Sequence, residues 1–313
     1  MSDFLTRIPE DPSRLVVLDT RGKKLDASHI LGVLEQDSVV LIRNAVAEQA
    51  EAILGGVAAK LGLLESLELQ ASFADFLGHR RRIGKYQMSV NKRDQHEFIP
   101  PHSEGDSFVN LQLASFYCFE NSTDGGETVV FNLDDSSRVW QSLRESVTRV
   151  APGSRTLSPS EWLRARGMYH LRNASGPTPG ERILRERVSE IPGLVLVDVL
   201  ALPARSHSLI LGADRYVYWD SIASTDFDSW RAFERLLKQE GRVAEDATPD
   251  RLDNASSRRV WSSGVDHNEL FKCKLTHKLM PGDLLLQNNL TWAHSALDWN
   301  SASGTRNMSA AFA

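Results

Sequence analysis

The sequence predicts a mainly β protein with helical additions, and three observations carry that expectation. Phe271, Cys273, Leu275, His277 and Leu279 alternate strictly with Lys272, Lys274, Thr276 and Lys278, the signature of a sheet with one wet face. Two β-rich runs, 108–119 and 128–131, flank a turn at 121–126. Neither a βαβ alternation nor a Gly-rich phosphate loop is present, which argues against a doubly wound nucleotide-binding fold.

The elements follow in order. Over residues 1–65 the chain reads as helix, strand, helix: Asp26–Gln36 with Ile30, Val33 and Leu34 on one face, then Ser38–Arg43, then an Ala- and Leu-rich helix over 46–64. After the 108–131 strands, Asp134 or Asp135 is expected to cap a helix through Val139, Leu143 and Val147. The stretch 152–266 opens with five prolines by Pro192 and reads as an insertion or lid. Within it, strands are expected at 194–199, 208–211 and 215–219, and a helix capped near Thr225 with Phe227, Trp230, Phe233, Leu236 and Leu237 on one face. Strands at 284–287 and 307–312 close the chain, with Asp283 in the turn between them and the alternating run. The whole of 1–313 is expected to form one domain.

Composition narrows the function. The 313 residues carry 36 Lys and Arg against 41 acidic residues, a formal net charge of −5, so no general attraction to nucleic acid or to an anionic membrane is expected. The two cysteines, Cys118 and Cys273, form no disulfide framework and suit a reducing cytoplasm. Residues 1–13 lack the apolar core of a signal peptide, and no run approaches the ~20 apolar residues of a membrane helix. A small-molecule partner fits this balance; oligomeric state is not legible.

Two His-x-Glu pairs occur, His102–Ser103–Glu104 and His267–Asn268–Glu269. In a strand such spacing turns an imidazole and a carboxylate to one side. With nine histidines and 41 acidic residues in 313, about one such pair arises by chance. Context favours the first, which follows Pro100–Pro101 and precedes a long strand, whereas His267 and Glu269 read as a solvated strand entrance. Further on come Gly125–Gly126–Glu127–Thr128, then Gly282–Asp283, Asn289, His294 and finally Arg306. Two histidines and one carboxylate make a facial metal triad with open positions, and an arginine nearby can clamp a carboxylate.

In their order and spacing these residues resemble the TauD/TfdA-type, clavaminate-synthase-like Fe(II)/2-oxoglutarate dioxygenases, over 102–131 and 282–312 and in the helix–strand–helix opening; the stretch 152–266 does not align with them. The resemblance implies a double-stranded β-helix, or jelly-roll, core with Fe(II) held by His102, Glu104 and His294. It implies Arg306 on the distal carboxylate of 2-oxoglutarate, Thr128 hydrogen-bonded to the same cosubstrate, and O2 as co-reactant. It also implies hydroxylation or desaturation of an unactivated C–H. Many members carry Asp where this chain has Glu104; the longer side chain is a feature of amino-acid-hydroxylating branches. The substrate expectation is therefore an amino acid, free or carrier-tethered, in specialised natural-product metabolism. Related halogenases lack this carboxylate altogether, which argues against halogenation. Arg81, Tyr86, Gln112, Trp219 and Asp220 are candidate substrate contacts. The run 79–82 reads equally as a solvated face, Thr128 as an ordinary strand residue, Arg306 as an ion-pair partner, and His277 as a core histidine bonded to backbone. The competing readings are a jelly-roll metal-binding protein without oxygenase activity and a cupin-type metal-dependent hydrolase or isomerase.

Overall fold

The computed structural model describes residues 3–21, 25–76, 80–90, 99–105, 111–141, 143, 145–169, 171, 175–203, 205–218, 267–300 and 302–313. The chain opens with α1 (Asp3–Arg7), β1 (Leu15–Asp19), α2 (Ala27–Leu34), β2 (Val39–Arg43), α3 (Ala47–Lys60) and α4 (Leu64–Phe76). Then come β3 (Met88–Ser89), β4 (Ile99–His102), β5 (Leu113–Asn121), β6 (Asp124–Gly125) and β7 (Thr128–Leu133). A second section holds β8 (Glu145–Val150), α5 (Pro159–Tyr169), β9 (Arg182–Val188), β10 (Val195–Ala201), β11 (Arg205–Ser208) and β12 (Ala213–Tyr216). The last is β13 (Phe271–His277), β14 (Leu284–Asn288), β15 (Trp292–Ala296), β16 (Trp299–Asn300) and β17 (Arg306–Phe312).

Two sheets form the body. The larger has the order β1-β2-β14-β5-β17-β3 and the smaller β13-β7-β15-β4. The chain alternates between them: β4 small, β5 large, β7 small, and later β13 small, β14 large, β15 small, β17 large. That alternation is the winding of a jelly roll, as the sequence predicts. Val39, Leu41, Cys118, Leu285 and Met308 of the large sheet meet Val130, Cys273, Leu275 and Trp292 of the small one in a shared core.

The large sheet is buried on both faces. Val40 and Ile42, on the face opposite Val39 and Leu41, join Leu284, Leu286, Leu113 and Tyr117 in packing against α2 and α3. This explains why β2 and β14 read as unbroken apolar runs rather than alternating ones. Asp26 caps α2 by accepting from Ser28 N–H at 3.0 Å, and Gln49 Oε1 accepts from Val46 N–H at 3.1 Å before α3. The α2–β2 turn sits at Asp37, with φ 54. Its carboxylate accepts from Thr291 Oγ1 at 2.5 Å and Asn132 Nδ2 at 3.0 Å, and its carbonyl accepts from Trp292 Nε1 at 3.2 Å.

Several expectations need correction. The helix expected from Asp134 through Val147 is a short 3-10 turn at Arg138–Gln141 followed by β8. Val147, Thr148 and Val150 pair with Val199, Asp198 and Leu196 of β10, so a β-branched run overrode an apolar spacing that suited either state. Ser208 ends β11 and residues 209–212 turn into β12, with Gly212 N–H on Ser208 O at 2.8 Å, so the strand expected at 208–211 is a turn beyond its first residue. The described part of 152–266 holds folded elements, which an insertion can also do: β9 and β10 form a sheet with β8 from just before it, and α5 packs Ala165 against Leu171, Ile191, Leu194 and Leu196. The strand β1, parallel to β2, and the helix α4 were not foreseen. The helix expected near Thr225 lies outside the described residues.

Trp292 fills the shared core and is fully buried. Trp292→Ala is expected to cost about 3–5 kcal/mol, read by chemical denaturation.

Candidate metal centre

The register of the small sheet builds the site. β15 lies between β7 and β4, and His294 stands directly opposite His102. β4 is an edge strand, so Pro100 and Pro101 remove no ladder hydrogen bond that the sheet needs. The two imidazole centroids are 4.4 Å apart. After β4 the chain bends at Gly105, whose φ of 104 suits glycine, and Glu104 enters beside both rings. Its Oε1 lies 3.8 Å from His102 Nε2 and 3.7 Å from His294 Nε2. All three donor atoms fall within 4.8 Å of one another.

The bend is pinned by Asn289. Its Nδ2 donates to Glu104 O and Leu111 O, each at 2.8 Å, and its Oδ1 accepts from Glu104 N–H at 3.0 Å. The β14–β15 turn thus holds the backbone of one member of the cluster, Glu104, while its strand carries another, His294. Phe116 packs 4.7 Å from the His294 ring, and Phe312 stacks at 6.2 Å. Gln287 Nε2 lies 3.4 Å from His294 Nδ1, the nitrogen turned away from Glu104.

Charge favours a cation. Burial raises the Glu104 pKa, but the Arg80 charge and the hydrogen bonds from His102 and His294 outweigh it and hold the carboxyl well below its usual range. Burial, then the proximity of His102, lowers His294 to about 4 against the pull of Glu104. An ionised carboxylate beside a neutral imidazole is the protonation state a metal needs. Two imidazoles and a carboxylate suit a divalent first-row ion. Cis ligands at about 2.1 Å from an octahedral ion are about 3 Å apart, so the two carboxylate–imidazole distances of 3.8 and 3.7 Å need to close by less than an ångström. The residues fit the ion.

The residues expected to hold the cosubstrate open strands in the two different sheets. Thr128 begins β7, buried, with no hydrogen-bond partner for its hydroxyl among the described residues. Arg306 begins β17; its Nε donates to Gly126 O at 3.1 Å, and the guanidinium lies 5.1 Å over Trp299. Its other guanidinium nitrogens pair with no acceptor among the described residues. Gly126 has φ 74, and a Cβ there would meet Arg306 Cδ and Thr123 Oγ1 at 3.1 Å, so the backbone leaves room for the arginine.

The remaining candidates are dispersed. Arg81 is exposed, and its backbone N–H bonds Ser89 Oγ. Tyr86 packs in the helix-side core, its ring against Gly55. The Gln112 amide bonds His207 O at 3.2 Å and Leu209 N–H at 2.9 Å. Trp219 and Asp220 lie outside the described residues. His277 stands opposite Thr128, its Nε2 3.6 Å from the Asp283 carboxylate rather than on a backbone group. Asp283 itself accepts from Met280 N–H at 3.0 Å, as turn chemistry predicts. His267–Leu270 is a 3-10 turn that leads directly into β13, with Glu269 exposed, in keeping with a solvated strand entrance. Arg80, whose Nη2 sits 3.0 Å from Glu104 Oε1, belongs to the arginine run that the sequence offers either as a solvated face or against an anionic substrate, and nothing in that run distinguishes one arginine from the next.

No family model and no curated protein matches the chain. Among solved structures it is similar to AAD-2 in complex with Mn(II) and N-oxalylglycine, at 12% identity and TM-score 0.45, over 97% of this chain and 96% of that one. It is similar also to the PvcB protein from Pseudomonas aeruginosa, at 12% identity and TM-score 0.44, over 95% and 85%. A taurine dioxygenase from Burkholderia xenovorans matches at 13% identity and TM-score 0.38, over 93% and 81%. These are likenesses of outline, and the chemistry is read from the chain's own side chains.

Asn289→Ala is expected to weaken divalent-metal binding by about 10–100-fold, measured by calorimetric titration with Mn(II). The metal-free protein is expected to lose stability in acid. The unfolded chain protonates this imidazole near pH 6.5 while folded His294 resists to about 4, so stability falls as pH drops between those values. At pH 5 the His294 share of the loss is roughly 2 kcal/mol, and urea unfolding of wild type and His294→Gln at pH 7.5 and 5 checks it.

Proposed function

We propose that the chain is an Fe(II)/2-oxoglutarate-dependent oxygenase acting on a small molecule. The observation that carries this reading is the buried His102–Glu104–His294 cluster, with its carboxylate held ionised and His294 held neutral. His102, Glu104 and His294 would hold the iron on one face. Bound there with 2-oxoglutarate, Fe(II) supplies the activation of O2 that couples decarboxylation of the keto acid to succinate with oxidation of an unactivated C–H.

The chain's own tasks are positional. Arg306 offers a half-buried fork to the distal carboxylate of 2-oxoglutarate, with Gly126 fixing its Nε and Trp299 backing its charge. Thr128, two residues beyond Gly126, offers its hydroxyl to the same molecule. Phe116 and Phe312 keep the His294 side of the site apolar and limit water there. The substrate proposed is an amino acid, free or carrier-tethered, in specialised metabolism of the cytoplasm; what supports it is Glu104 in the place where many TauD/TfdA-type members have Asp. One domain over 1–313 is part of the same proposal. No helix among the described residues is long and apolar enough to cross a membrane.

Anaerobic addition of Fe(II) and then 2-oxoglutarate to the metal-free protein is expected to give the weak visible charge-transfer band, lost in Arg306→Ala. A folded protein that gives no band is a jelly-roll metal-binding protein at most. A protein that binds metal yet turns over a substrate without forming succinate is the cupin-type hydrolase or isomerase. His102→Ala and His294→Ala are each expected to lower succinate formation by about 10³-fold or more while circular dichroism stays unchanged.

A further inference from the structure

His277 and Asp283 form a largely buried pair that the metal centre leaves unused. His277 ends β13 directly opposite Thr128 of β7. Residues so opposed in an antiparallel pair turn their side chains to the same side of the sheet, about 5 Å apart. Two residues away in each strand, Leu275 and Val130 lie in the core between the sheets, and Val130 stands opposite His294. Alternation therefore turns His277 and Thr128 into that interior, on the side of the sheet that carries His294.

The imidazole is short of partners. Its Nε2 is buried without a hydrogen bond, and neither ring nitrogen makes one among the described residues. Asp283 Oδ2, 3.6 Å from Nε2, is beyond hydrogen-bond reach and is taken by Met280 N–H at 3.0 Å. Native structures keep few such groups, because a hydrogen bond left unmade in a buried place is destabilising. The side chain is 24% exposed, so part of the ring is open to a small molecule. Thr128 beside it also has an unused hydroxyl, and Arg306 reaches Gly126, two residues before Thr128, through Nε alone. Unused donors backed by a fixed positive charge suit an anion.

We propose that His277 is a third donor to the distal carboxylate of 2-oxoglutarate, beside Arg306 and Thr128. This rests on the oxygenase reading. A neutral imidazole carries one N–H and a charged one two, so the ring supplies a donor in either state. The consequence is selectivity. A keto acid ending in a methyl group leaves these donors unpaired, and a site built for hydrogen bonds rejects such a ligand strongly.

The control ligand is 2-oxovalerate, which has a methyl where 2-oxoglutarate has its distal carboxylate. Calorimetric titration of the Mn(II)-loaded protein with each acid compares wild type and His277→Leu. Wild type is expected to prefer 2-oxoglutarate. His277→Leu is expected to bind it about tenfold more weakly, while binding 2-oxovalerate and Mn(II) no more weakly than wild type does. Unchanged 2-oxoglutarate binding, or an equal loss for both acids, overturns the role of His277 and leaves the oxygenase reading intact. Wild type that binds the two acids equally, or neither, overturns the cosubstrate reading and this inference with it.

A second readout uses wild type alone and does not depend on how the variant folds. With histidine labelled in its ring nitrogens, in the Zn(II)-loaded protein, 2-oxoglutarate is expected to move the resonances of an imidazole that binds no metal. The control acid is expected to leave them in place. Matching spectra with the two acids overturn the contact.

Discussion

The site depends on one register. β15 must lie between β7 and β4 so that His294 faces His102, and a slip by a single residue would turn His294 to the opposite face of the sheet. Neither neighbour fixes this alone, because β4 is a short edge strand interrupted by two prolines. The turn before β15 supplies the missing constraint. Asn289 reaches across to the backbone of Glu104 and Leu111, so the hairpin that places His294 also grips the loop that places Glu104.

Burial then determines the chemistry. A carboxylate taken out of water would ordinarily protonate, and a histidine taken out of water would ordinarily stay neutral. Here the second tendency is left alone and the first is reversed by a guanidinium and two imidazoles. The cluster thus keeps its carboxylate ionised without any ion present, its charge offset by the neighbouring Arg80.

Much of this was legible in the chain. The His102–Glu104 pair is legible because alternate strand residues face the same way, and Phe271–His277 because alternation survives where one face is wet; His294 and Arg306 are picked out only by the family resemblance. The Asp134–Val147 segment misled because apolar residues four apart suit a helix, while the β-branched run within it pairs with β10. β1 was missed because it lies at the edge of a sheet whose other strands come from distant parts of the chain. Arg80 could be read only as one of three consecutive arginines, because its contact with Glu104 spans 24 residues and local sequence offers no means of choosing among them.

The left-handed residue Asp37 ties the opening helices to the far end of the chain. It receives Thr291 and Trp292 from the segment that carries His294, and Asn132 from the strand beside it. Opening of α2 would therefore release the start of β15, and with it the alignment of one imidazole. The N-terminal layer and the histidine hairpin should exchange their amide hydrogens as a single cooperative unit, although about 250 residues separate them along the chain.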